Sequence, residues 1–254
     1  MPDLHVVSLR YALRPSEHAS FTNPPPIEFE TQDAQFRLAE GELTCKMKTH
    51  FADPADARPT VEPTIRAWEI DADLRLCPDV LKFDFDGADV IDSTPAPPGV
   101  YGVAYIVGSG AATASGSASV LIGYLDYPAP PPSTFRMNPD ADAILGRYQM
   151  HRAGREPLQS MAYFCLTFLE TKAGSRHDAA ALYRIDHLVL KKIGELTSTR
   201  GDTSTARKAN AAHPLSRQEH AWLDAAVKML IWRTGDTRDA AALPLMTMSD
   251  LPTL

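Results

Sequence analysis

The sequence predicts an α+β protein: an N-terminal antiparallel β sandwich or open barrel followed by a C-terminal helical bundle with an extended tail. Three observations carry this reading. Apolar side chains recur every two residues in the first half and every three to four in the second. A proline-rich stretch, Pro128-Ala129-Pro130-Pro131-Pro132 with Pro139, separates the two patterns and can continue neither a helix nor a central strand. Charge also changes sign: residues 1–138 carry 10 basic and 19 acidic side chains, net −9, and residues 139–254 carry 15 and 13, net +2. The expected division is an acidic β domain over 1–127, a linker over 128–139 and a helical bundle over 140–254.

In chain order, Leu4–Leu13 reads as the first strand. Phe36 and Leu38, then Leu43, Cys45 and Met47, flank Glu40-Gly41 as a hairpin. From Ile65 to Leu76, Trp68, Ile70, Ala72, Leu74 and Leu76 alternate with Glu69, Asp71, Asp73 and Arg75, the period of a half-buried strand. Leu81, Phe83 and Phe85 alternate likewise with Lys82, Asp84 and Asp86. Val100–Val107 and Val120–Leu125 are further strands, and Pro24-Pro25-Pro26 and Pro95–Pro98 mark loops.

Beyond the prolines, Leu158, Met161, Ala162, Cys165, Phe168 and Leu169 form a helical stripe. A second runs from near Arg176 through Leu182, Ile185, Leu188, Val189 and Ile193 to Leu196. A third, Leu223, Ala226, Val227, Leu230 and Ile231, opens on Ser216-Arg217-Gln218-Glu219, a capping box behind Pro214, with Gly235 placed to end it. Shorter helices are expected at Asp140–Met150 and Ser204–Ala212. The tail, Leu243–Leu254, holds Pro244 and Pro252 and is expected to lie extended over a groove.

Composition narrows the function classes. Net charge is −7 for the whole chain, which argues against a nonspecific nucleic-acid binder. Cys45, Cys77 and Cys165 match no zinc or redox spacing, and Met1-Pro2-Asp3 opens no signal peptide, so a reducing cytoplasm is expected. Ser93–Leu125 carries no charge, but its prolines, glycines and hydroxyl residues dilute the apolar side chains too far for a membrane span.

Most motifs have plain readings. Gly108-Ser109-Gly110 with Gly116 lacks the lysine and following helix of a phosphate loop. The carboxylate pairs Asp71/Asp73 and Asp84/Asp86 would each share a strand face, the arrangement of a solvated surface, and Asp140/Asp142 is a third pair. Eight histidines are scattered, and none forms a zinc-binding helix. No metal or cofactor is called for, and no catalytic constellation emerges.

The informative stretch is Lys191 to Arg217. Lys191, Lys192, Arg200, Arg207, Lys208 and Arg217 face only Glu195 and Asp202 there, a local excess of four positive charges. Thr203 or Ser204 caps the helix carrying Arg207, which brings free backbone N–H groups and a positive dipole end beside cations, an environment suited to phosphate or carboxylate. The expected function is therefore non-catalytic: a binding or adaptor protein that recognises an anionic ligand, RNA included, or an acidic protein partner. Its binding residues are Lys192, Arg200, Thr203, Ser204, Arg207 and Lys208. A further expectation is a structural subunit that self-associates, as a homodimer, through exposed Trp222 or Trp232.

Arg207 and His213 also stand in the spacing Arg-x5-His within a helical region. That motif resembles the HEPN ribonucleases, over the C-terminal half only. The resemblance implies a metal-independent ribonuclease in which Arg207 stabilises a phosphate and His213 acts in acid–base cleavage. The sequence departs from the family pattern at Lys208, and at Pro214, which stops the helix directly after the histidine.

Overall fold

Alternating side chains in the N-terminal half build the strands β1 (Leu4–Leu13), β2 (Ala19–Phe21), β3 (Ile27–Glu30), β4 (Ala34–Ala39), β5 (Glu42–Met47), β6 (Phe83–Asp92), β7 (Tyr105–Gly108) and β8 (Ile122–Tyr124). Six of them form one antiparallel sheet in the order β3-β4-β5-β1-β6-β7, and β2 pairs with β8 in parallel. The structure, a computed structural model, describes residues 3–14, 19–77, 79–92, 94, 105–108 (backbone alone), 122–200 and 214–254. The chain divides into two units, Met1–Ser133 and Thr134–Leu254.

In the first unit the hairpin around Glu40-Gly41 has Phe36 opposite Cys45 and Leu38 opposite Leu43, all buried on one face. Glu40 and Gly41 take φ of +52° and +80°, the left-handed backbone that so tight a turn needs. Inward residues of β1 switch parity, from Val6 to Leu9 and Tyr11, because a bulge interrupts the register between Val6 and Ser8. On the opposite face, Ser8 and Arg10 both donate to Asp89 of β6.

The layer over this sheet is a helix, which corrects the strand expected over Ile65–Leu76. Pro54–Arg75 is α1, and the Asp53 carboxylate accepts the Ala55 N–H at 2.8 Å with Pro54 at the first helical position. Ala57, Val61, Ile65, Trp68 and Ala72 form its sheet-facing stripe and join the same core as β1, β4 and β5. Pro59 and Pro63 fall on the exposed side of the helix, where the carbonyls left without donors meet water. Strand alternation misleads because Ala67 to Ala72 and Leu74 are buried around the whole circumference, Glu69 and Asp71 included. The sheet has edges at β3 and β7. Among the described residues the second sheet is the short β2–β8 pair, whose Ala19, Phe21 and Tyr124 pack against the same core, and α1 lies over the six-stranded sheet.

Both ends of the proline stretch are held. Trp68 Nε1 donates to the Pro128 carbonyl at 2.9 Å and Arg75 to that of Ala129 at 2.7 Å. In the second unit, Thr237 N–H donates to the Thr134 carbonyl and Arg136 N–H to that of Gly235, both at 2.8 Å.

The second unit contains α2 (Pro139–Arg152), α3 (Leu158–Ala173), α4 (Arg176–Leu182), α5 (His187–Thr199) and α6 (Arg217–Gly235). The single helix expected from Arg176 to Leu196 is two. Arg184 adopts φ +51°, Asp186 caps α5 through Leu188 N–H, and Ile185 forms a bridge with Met246 of the tail. Leu182 and Leu188, expected in one buried stripe, flank this break and are exposed. The tail is not extended throughout: short 3-10 turns occupy Ala240–Ala242 and Met248–Asp250, either side of buried Met246.

The capping box of α6 forms as expected, with Ser216 Oγ accepting Glu219 N–H at 3.1 Å and Glu219 accepting Ser216 N–H at 2.8 Å. Ser216→Ala is expected to lower stability by about 1 kcal/mol, read as a fall in melting temperature of the full chain.

Candidate functional site

Of the expected cations, Arg200 ends α5 and Arg217 opens α6, while Lys191 and Lys192 lie in the second turn of α5. Arg200 Nη2 lies 3.0 Å and Nε 3.1 Å from Glu219 Oε1, so the start of α6 holds the residue that ends α5. Burial works against the Glu219 charge, but hydrogen bonds from Ser216 and the Arg200 guanidinium hold its carboxyl below the ordinary carboxylate range. This tether therefore stabilises the fold above the ordinary Glu value of 4.5 and is lost as pH falls through the lowered one. Lys192 pairs with Glu195 at 3.0 Å. Lys191 and Arg217 are exposed and form no ion pair among the described residues. Thr203, Ser204, Arg207, Lys208 and His213 lie outside the described residues, as does the helix expected over Ser204–Ala212.

Sequence reasoning missed a second polar group in the same unit, between α2 and α6. Asn138 caps α2 by accepting the N–H groups of Asp140 and Ala141, and its Nδ2 donates to the Thr234 carbonyl at 2.7 Å. The start of α2 is thus tied to the end of α6, the two helices run antiparallel, and the last turn of α2 faces the first turns of α6. On α2, Tyr148, His151 and Arg152 share a face; on α6, His220, Asp224 and Lys228 stand one turn apart.

These faces meet. Tyr148 Oη donates to Asp224 Oδ1 at 2.9 Å, and Lys228 lies 3.1 Å from Asp224 Oδ2. Burial and the Asp224 charge push the Tyr148 phenol well up, so it stays a donor. The His151 and His220 rings are 6.4 Å apart between centroids, at 49° to one another. His151 Nδ1 is 2.9 Å from the Glu156 carbonyl, which can only accept. Nδ1 therefore carries the proton, and the lone pair of the neutral ring is on Nε2. The Arg152 guanidinium sits 5.9 Å from the Tyr148 ring centroid, and its Nη2 is buried with no hydrogen-bond partner. His151 is half-buried and His220 exposed. The i, i+3, i+4 spacing of 148, 151 and 152 and of 220, 224 and 228 was present in the sequence. The antiparallel pairing that joins them was not.

Elsewhere the candidates are structural. Asp71 pairs with Arg75, Asp73 with Lys82, Asp84 with Arg14 and Asp140 with Lys172. Because Asp71 and Asp73 lie on a helix, they do not share the face that a strand would have given them. Trp222 is fully buried and offers no exposed ring for self-association, whereas Trp232 is half-buried and stacks on Phe135 with centroids 5.6 Å apart. In the first unit a cavity of about 590 Å³ is lined by Arg14, Phe21, Asn23, Glu40 and Tyr127, among others. Among the described residues, no three His, Cys, Asp or Glu side chains cluster as a metal site, and no helix is long and apolar enough to cross a membrane. No protein family, curated protein or solved structure matches the chain.

Proposed function

We propose that the chain is a binding protein whose helical unit engages an anionic ligand or an acidic partner through the basic segment between α5 and α6. The observation that carries this reading is the Arg200–Glu219 ion pair, which closes the segment at its base. With Glu195 taken by Lys192, the segment from 191 to 217 retains Asp202 alone against Lys191, Arg207, Lys208 and Arg217. A cationic surface left in excess on an otherwise acidic molecule attracts anions and is screened by salt.

In this reading the cations have separate roles. Arg200 braces the segment through Glu219, and Lys191, Arg207, Lys208 and Arg217 do the gripping. The test is fluorescence anisotropy with a labelled oligouridylate and, in parallel, polyglutamate, at several salt concentrations. Arg207→Glu combined with Lys208→Glu is expected to abolish binding at unchanged melting temperature. Lys191→Ala is expected to weaken binding and to reduce the salt slope by roughly 1 for a nucleic-acid ligand. Arg200→Glu is expected to lower the melting temperature instead, because it sets a second carboxylate against Glu219. Unchanged affinity in the Arg207/Lys208 double variant would reject the site.

A further inference from the structure

We propose that the cavity of the first unit binds a small organic cation, whose flat apolar body fills the space and whose ammonium group meets the Glu40 carboxylate. This site lies in the other unit from the basic segment and does not depend on it.

The volume, about 590 Å³, falls within the range of small-molecule sites. Leu13, Phe21, Val80 and Tyr127 give the cavity an apolar and aromatic lining, with the Phe21 and Tyr127 ring centroids 4.9 Å apart at 50°. Charge then decides what it takes. Arg14 is already engaged: its Nε lies 3.0 Å from Asp84 Oδ2, and its Nη2 donates to Asp84 Oδ1. Glu40 forms no ion pair or side-chain hydrogen bond among the described residues. The lining therefore carries one uncompensated negative charge, in a stretch of chain with a net charge of −9 over residues 1–138. Such a field draws a cation in and repels an anion.

The turn that carries Glu40 supports the same reading. Glu40 and Gly41 join β4 to β5 as a two-residue hairpin with positive φ at both positions, the type I′ form, whose first position favours asparagine, aspartate or glycine. A glutamate is strained there, yet it stands on the cavity lining. The turn is also held in place. Gly41 N–H donates to Tyr127 Oη at 3.0 Å, and the Gly41 carbonyl accepts Leu13 N–H at 2.7 Å, so two other walls of the cavity pin it. Asn23, on the lining, and Asp79, beside Val80, are the other described non-glycine residues of this unit with positive φ, at +47° and +53°. Strained backbone gathered around one cavity is the pattern of a ligand site.

The test titrates the full chain by calorimetry with three probes that share an indole ring: tryptamine, 3-methylindole and indole-3-acetate. Tryptamine is expected to bind more tightly than 3-methylindole, and indole-3-acetate not to bind. Added salt should weaken tryptamine alone. Glu40→Gln is expected to reduce tryptamine affinity about fivefold, the range of an exposed ion pair, and to leave 3-methylindole unchanged. Glu40→Asn suits the turn better, so it should lose the same affinity while raising the melting temperature. Ser20→Phe, which fills the cavity from β2, should abolish binding of both probes; Glu40→Gln, on an exposed turn, decides the matter if that variant does not fold. Equal affinity for all three probes, no binding of tryptamine at millimolar concentration, or tryptamine affinity that survives Glu40→Gln would each overturn the proposal. A lower melting temperature in Glu40→Asn would show that glutamate serves the turn rather than the cavity, and would count against it equally.

Discussion

Trp68→Ala is expected to lower the stability of the first unit by about 3–5 kcal/mol, which is a large part of the 5–15 kcal/mol typical of a folded domain. Trp68 is fully buried at the centre of the α1 stripe. Its ring meets Phe29 edge-on at 5.2 Å and Phe83 at 5.8 Å, and Phe29 in turn stacks on Phe36 at 4.6 Å. Truncation therefore opens a cavity between helix and sheet, and it strands the Pro128 carbonyl that Nε1 serves. Trp68→Phe narrows the difference, because it keeps one six-membered ring in place and loses the donor with the rest of the indole. The expected cost of that change is about 1–2 kcal/mol. Hydrogen exchange checks the result by location: amides of α1, β1, β4 and β5 should lose protection in Trp68→Ala. Unchanged protection there would mean that the helix is not held by this side chain.

The same tryptophan shows where sequence patterning fails. Trp68, Ile70, Ala72 and Leu74 satisfy strand alternation, yet Ala57, Val61, Ile65, Trp68 and Ala72 satisfy a helix equally well. A segment buried on every side obeys both periods, and Pro59 and Pro63 weigh against a helix until it is known that they face water. The start signal, Asp53 followed by Pro54, was the legible clue. Where one face is wet, the pattern is unambiguous: Phe36 to Met47 gave its hairpin, and Ser216 to Glu219 its capping box. The break between α4 and α5 was not readable from its own residues, since Met246, some sixty positions downstream, supplies the backbone partners of Arg184 and Asp186. The candidate site divides in the same way. Net charge over 191–217 can be counted in the sequence, whereas the His151–His220 approach depends on how two distant helices pack.

Gly235→Ala is expected to destabilise the second unit by about 3 kcal/mol, the upper end of the cost of overpacking. Its glycine is not needed for a left-handed helix end, because Gly235 is absent from the positive-φ residues. The requirement is space: a Cβ there would stand 2.6 Å from Cε2 and 3.0 Å from Cδ2 of Phe135, and 3.1 Å from the Arg136 carbonyl oxygen. Phe135 cannot easily yield, since it is buried and stacked on Trp232. In a Phe135→Leu background the ring edge is gone, so the cost of Gly235→Ala should fall by about 1 kcal/mol or more. An equal cost in both backgrounds would place the strain on the backbone at Arg136 instead. The consequence reaches the other end of the helix pair. Gly235 follows Thr234, whose carbonyl receives Asn138 and so sets α2 against α6. A shift at this end changes how Tyr148 meets Asp224, so Gly235→Ala should also lower hydrogen-exchange protection at the far end of the α2–α6 seam. Unchanged protection there would mean that the two helices do not transmit the change along their length.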